Sequence, residues 1–79
     1  MREGFIPGCY ARRGEDGLLR FRGVIASTRM LSDESLALTI GTGEEYIDVI
    51  CNTDGFHGGS RIAEGTVGDD NNAVCRFTA

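Results

Sequence analysis

Lysine is absent from this chain of 79 residues: all eight basic side chains are arginine, and they face twelve acidic side chains. The resulting net charge of −4 argues against tight, charge-driven wrapping of nucleic acid, although it leaves room for a local basic face. Arginine is also the better cation for planar, bidentate contacts with phosphate or carboxylate. The composition therefore favours anion contacts at selected points.

Long apolar runs are also absent, which excludes a membrane-spanning helix. The first residues, 1–4, lack the apolar core of a signal peptide. A hydrophobic content of 41% is nevertheless too high for a disordered chain. We expect a single domain over residues 1–79, in which 1–17 is an N-terminal lead-in segment.

Cysteine is scarce: the chain has three, Cys9, Cys51 and Cys75. Their number is odd, and no two are spaced as a CxxC pair. A secreted domain of this size would carry more, in even number, so an intracellular, reducing location is expected. Cys51 and Cys75 lie in apolar stretches and are expected to be buried thiols. One alternative is a zinc site formed by Cys51, Cys75 and His57, although the spacings of these residues match no known zinc finger. Another is a nucleophile pair of Cys9 and His57, although no acid is available to orient the histidine. We expect no cofactor, no metal and no enzymatic activity.

Alternating apolar and polar residues predict five short strands, with little helix. The predicted strands are 18–27, 36–40, 46–51, 61–67 and 73–78. Turn residues separate them, notably Asp16-Gly17, the hairpin loop 29–35, the glycine-rich loop 52–60 and the turn 68–72. Because closure removes the exposed edges of short strands, the predicted fold is a small, all-β, five-stranded barrel.

Charge is distributed unevenly along the chain. Residues 1–30 carry six arginines against three acids, whereas residues 31–79 carry two arginines against nine acids. Such asymmetry suits a basic partner surface or head-to-tail association, and chance spacing on a solvated surface produces it as well.

The last third of the chain carries a family pattern. Three segments of it are similar to strands two and three of one family. They are Arg61-Ile62-Ala63-Glu64, then Val67-Gly68-Asp69 and, after a turn, Phe77-Thr78-Ala79. This family consists of small OB-fold proteins that bind single-stranded nucleic acid, such as replication protein A and the one-domain plant and archaeal members. The segment 46–51 and its loop resemble strand one of that family.

The N-terminal half resembles the remainder of the same family domain. Phe5-Ile6-Pro7-Gly8 is similar to the turn into strand four, 18–27 to strand four and 36–43 to strand five. The resemblance therefore implies an OB-like barrel in the permuted order four-five-one-two-three, joined through Gly43-Glu44-Glu45. In this order strand one should lie beside strands two and four. A strand-exchanged dimer and a chain cut at Ala79 are the alternatives.

The resemblance also implies a binding face on strands two and three, flanked by the loops 52–60 and 29–35. Arginines would contact phosphates, and the loop residues Phe56 and His57 would stack on bases. Alternatively, Phe56 covers the core, and Arg76 pairs with Glu64 across the strands. The candidate nucleic-acid-binding residues are Arg20, Arg22, Arg29, Phe56, His57, Thr66, Arg76 and Thr78.

Two functions follow from these expectations. The first is non-catalytic binding of single-stranded DNA or RNA through the OB-like face. The second is a protein-interaction or assembly module, as a ribonucleoprotein subunit or a homodimer, with no nucleic-acid binding of its own. A face with few aromatic residues and mixed charge suits a protein partner as well as a nucleic acid. No membrane partner is expected.

Overall fold

The computed structural model describes residues 8–79, in which the regular secondary structure consists of β-strands joined by turns and loops. These residues form β1 (Tyr10–Arg13), β2 (Leu19–Met30), β3 (Leu36–Gly41), β4 (Tyr46–Cys51), β5 (Ile62–Val67) and β6 (Ala73–Thr78), without a helix. The predicted all-β class is confirmed, and all five predicted strands are present within a few residues of their expected bounds. The expected turn at 5–8 lies outside the described residues, apart from Gly8.

The N-terminal half differs from expectation in two respects. The segment 1–17, expected as a lead-in, contains β1, which pairs antiparallel with the start of β2 and places Ala11 opposite Phe21. In addition, β2 continues to Met30, where a loop was expected to begin at residue 29. The polar end of β2 remains a strand because it pairs with the first residues of β3, so ladder hydrogen bonds hold it rather than burial.

One antiparallel sheet results, with neighbours in the order β4-β3-β2-β5-β6 and with β1 also on β2. The first half of β2 pairs with β1 and β5, and its second half pairs with β3. Between these halves the register shifts from Ile25 to Ser27, so that Ala26 is an extra residue. Such a bulge bends the strand, which lets β2 serve both halves of the sheet.

The core lies on one side of this sheet. Its buried residues are Phe21, Leu36, Leu38, Ile40, Val49, Cys51, Ala63 and Val67. The backbones of β2 and β3 come so close at Gly23 that a side chain there would meet the carbonyl oxygen of Gly41. Because strand side chains alternate, the residues between the buried ones point to the opposite, outer side.

The permuted strand order is not what the pairing shows. It required residues 46–51 to lie beside both 61–67 and 18–27, whereas β4 pairs with β3 along its whole length. It is β5 that pairs with β2, from Leu19 opposite Val67 to Val24 opposite Ile62. The physical reason is that β2 and β3, and then β3 and β4, are joined by short turns, which favour neighbouring antiparallel strands.

The two strands at the ends of this order, β4 and β6, meet at one point. There Ile50 and Asn72 form a single parallel bridge, and the amide of Ile50 donates to the carbonyl of Asn71 at 2.8 Å. We call this junction the seam. Because one bridge replaces a full ladder, the closed five-stranded barrel stays a prediction, as does the strand-exchanged dimer.

Candidate nucleic-acid interface

The outer side of β1, β2, β5 and β6 carries two rows of directly opposed residues. Opposed residues in an antiparallel pair point to the same side of the sheet, about 5 Å from strand to strand. One row is Tyr10, Arg22, Glu64 and Arg76, and the next is Arg12, Arg20, Thr66 and Val74. We call these eight residues the arginine face. It holds half of the arginines of the chain in two adjacent rows.

Acidic partners neutralise part of this charge. Arg22 lies 3.7 Å from Glu64, and Arg20 forms a 2.9 Å ion pair with Asp16 in the preceding turn. The hydrogen bond from Arg20 lowers the pKa of Asp16, so that carboxylate stays charged in mildly acidic solution. Arg76, opposite Glu64, forms no ion pair within residues 8–79. Both ion pairs are solvent-exposed and therefore weak enough to exchange for a phosphate.

Tyr10 supplies the aromatic surface of the arginine face. Its ring is 40% exposed, and the guanidinium of Arg12 lies 5.9 Å from its centroid. An exposed ring beside guanidinium groups is the arrangement on which an unpaired base stacks while its phosphate is contacted. Tyr10 was not among the predicted binding residues because β1, which aligns it with Arg22, was not predicted from the sequence.

Five of the eight candidate residues come together. Arg20, Arg22, Thr66 and Arg76 belong to the arginine face, and Thr78 borders it opposite Ile62. Pairing between β2 and β5 brings Arg20 opposite Thr66 and Arg22 opposite Glu64. Glu64 also lies opposite Arg76, but the expected ion pair between them is not formed.

Arg29 does not join them. It lies seven residues beyond Arg22 on the same strand, or about 20 Å at the usual rise of a strand. It is paired with Ala37 of β3 and is exposed.

The loop residues Phe56 and His57 also lie elsewhere. The ring of Phe56 packs edge-to-face on Phe77, with centroids 5.3 Å apart, against the core side of the sheet. Phe56 thus covers the core, which was the alternative interpretation, and Phe77 is partly buried there. His57 is exposed, and its Nδ1 accepts the amide of Gly59 at 3.0 Å, so it helps to hold the loop.

A second outer surface lies on β2, β3 and β4. It contains a shallow groove of about 380 Å³ in which Ser27, Thr39 and Asp48 form one row, with Arg29 nearby. Thr39 donates to Asp48 at 2.7 Å across the floor. The turn 31–35 follows β2 and lines a separate hollow, whereas the acidic turn 68–72 contributes Asn71 to the rim of this groove.

Two carboxylates in those turns are held in the charged form. The hydroxyl and amide of Ser35 donate to Asp33, and the amide and side chain of Asn72 donate to Asp70. These hydrogen bonds lower the pKa of both aspartates. The groove itself is lined by one acidic side chain, Asp48, and one basic side chain, Arg29, whereas the arginine face carries four arginines and one glutamate.

The metal and nucleophile alternatives find no support among the described residues. Residues 8–79 contain no group of three or more metal-ligating side chains, so Cys51, Cys75 and His57 do not converge. Cys9 lines a surface hollow with Tyr10, and His57 is not among the residues of that hollow.

Comparison with known proteins found no matching family model, no matching curated protein and no matching solved structure. Within residues 8–79, no segment forms a helix with the length and apolarity needed to cross a membrane.

Proposed function

We propose that this chain is a non-catalytic module that binds single-stranded DNA or RNA across the arginine face. The observation that carries the proposal is the alignment of four arginines and Tyr10 in two adjacent cross-strand rows. Arg22 and Arg76 would contact phosphates, Tyr10 would stack on a base, and the hydroxyls of Thr66 and Thr78 would add neutral hydrogen bonds. Such a site holds a strand by its backbone and by base planes, so it selects for single strands rather than for sequence.

The proposal includes the fold that would present this face. We propose that β2 to β6 form a small OB-like barrel in sequential order, with β2 as its first strand. The support is that β2 pairs with both β3 and β5, and that β4 approaches β6 in parallel at the seam. In OB-folds the usual ligand face is on strands two and three, which here would be β3 and β4. That face holds the groove with Asp48 and fewer arginines, so we assign the ligand to the arginine face instead.

Fluorescence anisotropy with a labelled oligonucleotide at low salt tests the proposal. Release of counterions from single strands gives a slope of about −0.7 per phosphate contact in a plot of log K against log salt. Three or four contacts therefore predict a slope of about −2 to −3. Arg22→Ala and Arg76→Ala should each weaken binding about tenfold, the loss expected for one charged hydrogen bond.

Arg29→Ala is the matched control, since Arg29 is an exposed arginine of the same strand as Arg22 but lies outside the arginine face. It should leave the affinity and the salt slope nearly unchanged. No binding at low salt, or an equal loss for Arg29→Ala and Arg22→Ala, would contradict the proposal.

The groove on β2, β3 and β4 favours a second candidate function, a protein-interaction module for a basic partner. Its support is the placement of Asp48 in the groove and of the acidic turn 68–72 at its rim. The two functions differ in their sensitivity to mutation: Asp48→Asn would weaken binding of a basic protein partner and would leave oligonucleotide binding intact.

A further inference from the structure

A hollow on the core side of the sheet borders the first part of β4. Within residues 8–79, β4 pairs with β3 along one edge, whereas a single bridge at Ile50 and Asn72 joins its other edge to β6. The residues of β4 before that bridge line a hollow of about 240 Å³. Its opposite wall comes from the end of β1, the start of β2 and the end of β5. We call this hollow the core cleft.

Apolar side chains form most of the walls of the core cleft. Leu19 and Val67 lie opposite each other on β2 and β5, and Ile47 and Val49 line the cleft from β4. Val49 and Val67 are buried, and the other two are partly buried against the same core. Small-molecule sites commonly have such apolar walls with a few polar groups, and the mouth of a β-barrel is a usual place for them.

Arg13 brings a positive charge to this apolar hollow. It lies opposite Leu19, so its side chain leaves the sheet on the core side, as those of Leu19 and Val67 do. Its Nη1 donates to the carbonyl of Gly17 at 2.7 Å, which leaves the other N–H groups of the guanidinium for a ligand. Arg13 forms no ion pair within residues 8–79. A guanidinium at the rim of such a hollow is suited to a carboxylate, which it binds through two parallel hydrogen bonds.

The backbone of β4 supplies a second donor to the cleft. The amide of Ile50 donates to the carbonyl of Asn71, on the edge of β4 away from β3. Because ladder hydrogen bonds alternate along an antiparallel strand, the amide of Asp48, two residues earlier, points to the same edge. The carboxylate of Asp48 accepts the hydroxyl of Thr39 at 2.7 Å on the outer side of the sheet. The cleft is thus bordered by the N–H group of Asp48, while the negative charge of that residue lies on the other side.

We propose that the core cleft binds a small aliphatic carboxylate. The guanidinium of Arg13 and the amide of Asp48 would hold the carboxylate group, and the aliphatic tail would lie against Leu19, Ile47 and Val67. At about 30 Å³ per non-hydrogen atom, the share of a water molecule in the liquid, the cleft accommodates about eight such atoms. Hexanoate, a carboxylate with six carbon atoms, matches that size. This inference is independent of nucleic-acid binding, since the cleft and the arginine face lie on opposite sides of the sheet.

A ¹³C-methyl and ¹⁵N-amide NMR titration of the full chain with sodium hexanoate tests the proposal. We expect saturable shifts of the methyl groups of Leu19, Ile47, Val49 and Val67 and of the amide of Asp48, with a dissociation constant of about 1 mM. Two control ligands separate the tail from the charge. Hexylammonium, with the same tail and the opposite charge, and acetate, with the same charge and almost no tail, should each bind about tenfold more weakly.

Two variants test the role of the guanidinium. Arg13→Gln should weaken hexanoate binding about tenfold, the loss expected for one charged hydrogen bond. Arg61→Gln removes an exposed arginine that does not line the cleft, and it should leave the affinity unchanged.

Three results would overturn the proposal. The first is shifts that do not saturate or that lie outside the cleft, the second is equal binding of hexylammonium and hexanoate, and the third is equal affinities for Arg13→Gln and Arg61→Gln. The comparison of ligands on the wild type decides the question even where a variant fails to fold.

Discussion

At the residue scale, the ability of the arginine face to bind phosphate depends on which carboxylate lies beside each guanidinium. Glu64 lies between Arg22 and Arg76 in the same row and forms an ion pair with Arg22, so its carboxylate competes with phosphate for that cation. Asp16 has the same relation to Arg20. Alternation placed Arg20 and Arg22 on one face of a strand, and the resemblance to OB-fold proteins implied that they contact phosphate. The sequence could not predict Tyr10, because its place depends on the pairing of a four-residue strand.

Replacing the central carboxylate should strengthen binding of single-stranded nucleic acid. Glu64→Gln removes the ion pair with Arg22 and keeps the size of the side chain, so Arg22 becomes available to phosphate and a negative charge opposite Arg76 is lost. We expect the affinity to rise about two- to fivefold, in line with the small value of exposed ion pairs. Anisotropy titrations would measure it, with Glu45→Gln as a control outside the arginine face. Unchanged or weaker binding would show that Glu64 does not compete with the ligand.

Acid should destabilise the fold through three aspartates. Hydrogen bonds from Arg20, Ser35 and Asn72 lower the pKa of Asp16, Asp33 and Asp70, respectively. A carboxyl group whose pKa is lower in the folded state stabilises the fold above its unfolded pKa of about 3.9 and loses that contribution as the pH falls through its folded pKa.

Urea unfolding between about pH 6 and pH 2 would measure this loss. The free energy of unfolding should stay level at first and then decrease below about pH 4. The double variant Asp33→Asn, Asp70→Asn should show a smaller decrease than the wild type. A free energy of unfolding that increases with acid would contradict these assignments.

At the element scale, the existence of the strands could be predicted and their neighbours could not. Alternation in 36–40 predicted that Leu38 points inward, and it is buried. Alternation in 61–67 placed Ala63 and Val67 on one face, and both are buried. Alternation does not determine which strand lies alongside. That choice depends on the bend at Ala26, which turns β2 away from β5 and toward β3, and no residue pattern in 24–28 signalled the bulge.

Close packing of β5 on β6 gives a prediction at this scale. A side chain at Gly65 would collide with the backbone carbonyl of Val74, whereas one at Gly58 in the loop would meet no atom within 4 Å. Gly65→Ala should therefore lower the free energy of unfolding by about 1–3 kcal/mol, the usual cost of overpacking. Gly58→Ala is the control and should stay within about 0.5 kcal/mol of the wild type. Equal effects in urea denaturation would contradict the packing of this pair of strands.

At the scale of the whole molecule, the net charge is −4, but basic and acidic side chains lie on different surfaces. The arginine face carries four arginines and one glutamate, and the turns beside the groove on β2, β3 and β4 carry several acids. The sequence showed this asymmetry between its two halves, but the fold sharpens it because Arg76 of the acidic half joins the arginines of β1 and β2. A polyanion is consequently attracted to one side and repelled from the other.

An NMR titration of the ¹⁵N-labelled protein with a single-stranded oligonucleotide would show which surface of the sheet binds nucleic acid. We expect the amide shifts to concentrate in β1, the first half of β2, β5 and β6, and to disappear as salt is raised. Shifts concentrated instead on β3 and β4 beside the groove, or no shifts at low salt, would contradict this expectation.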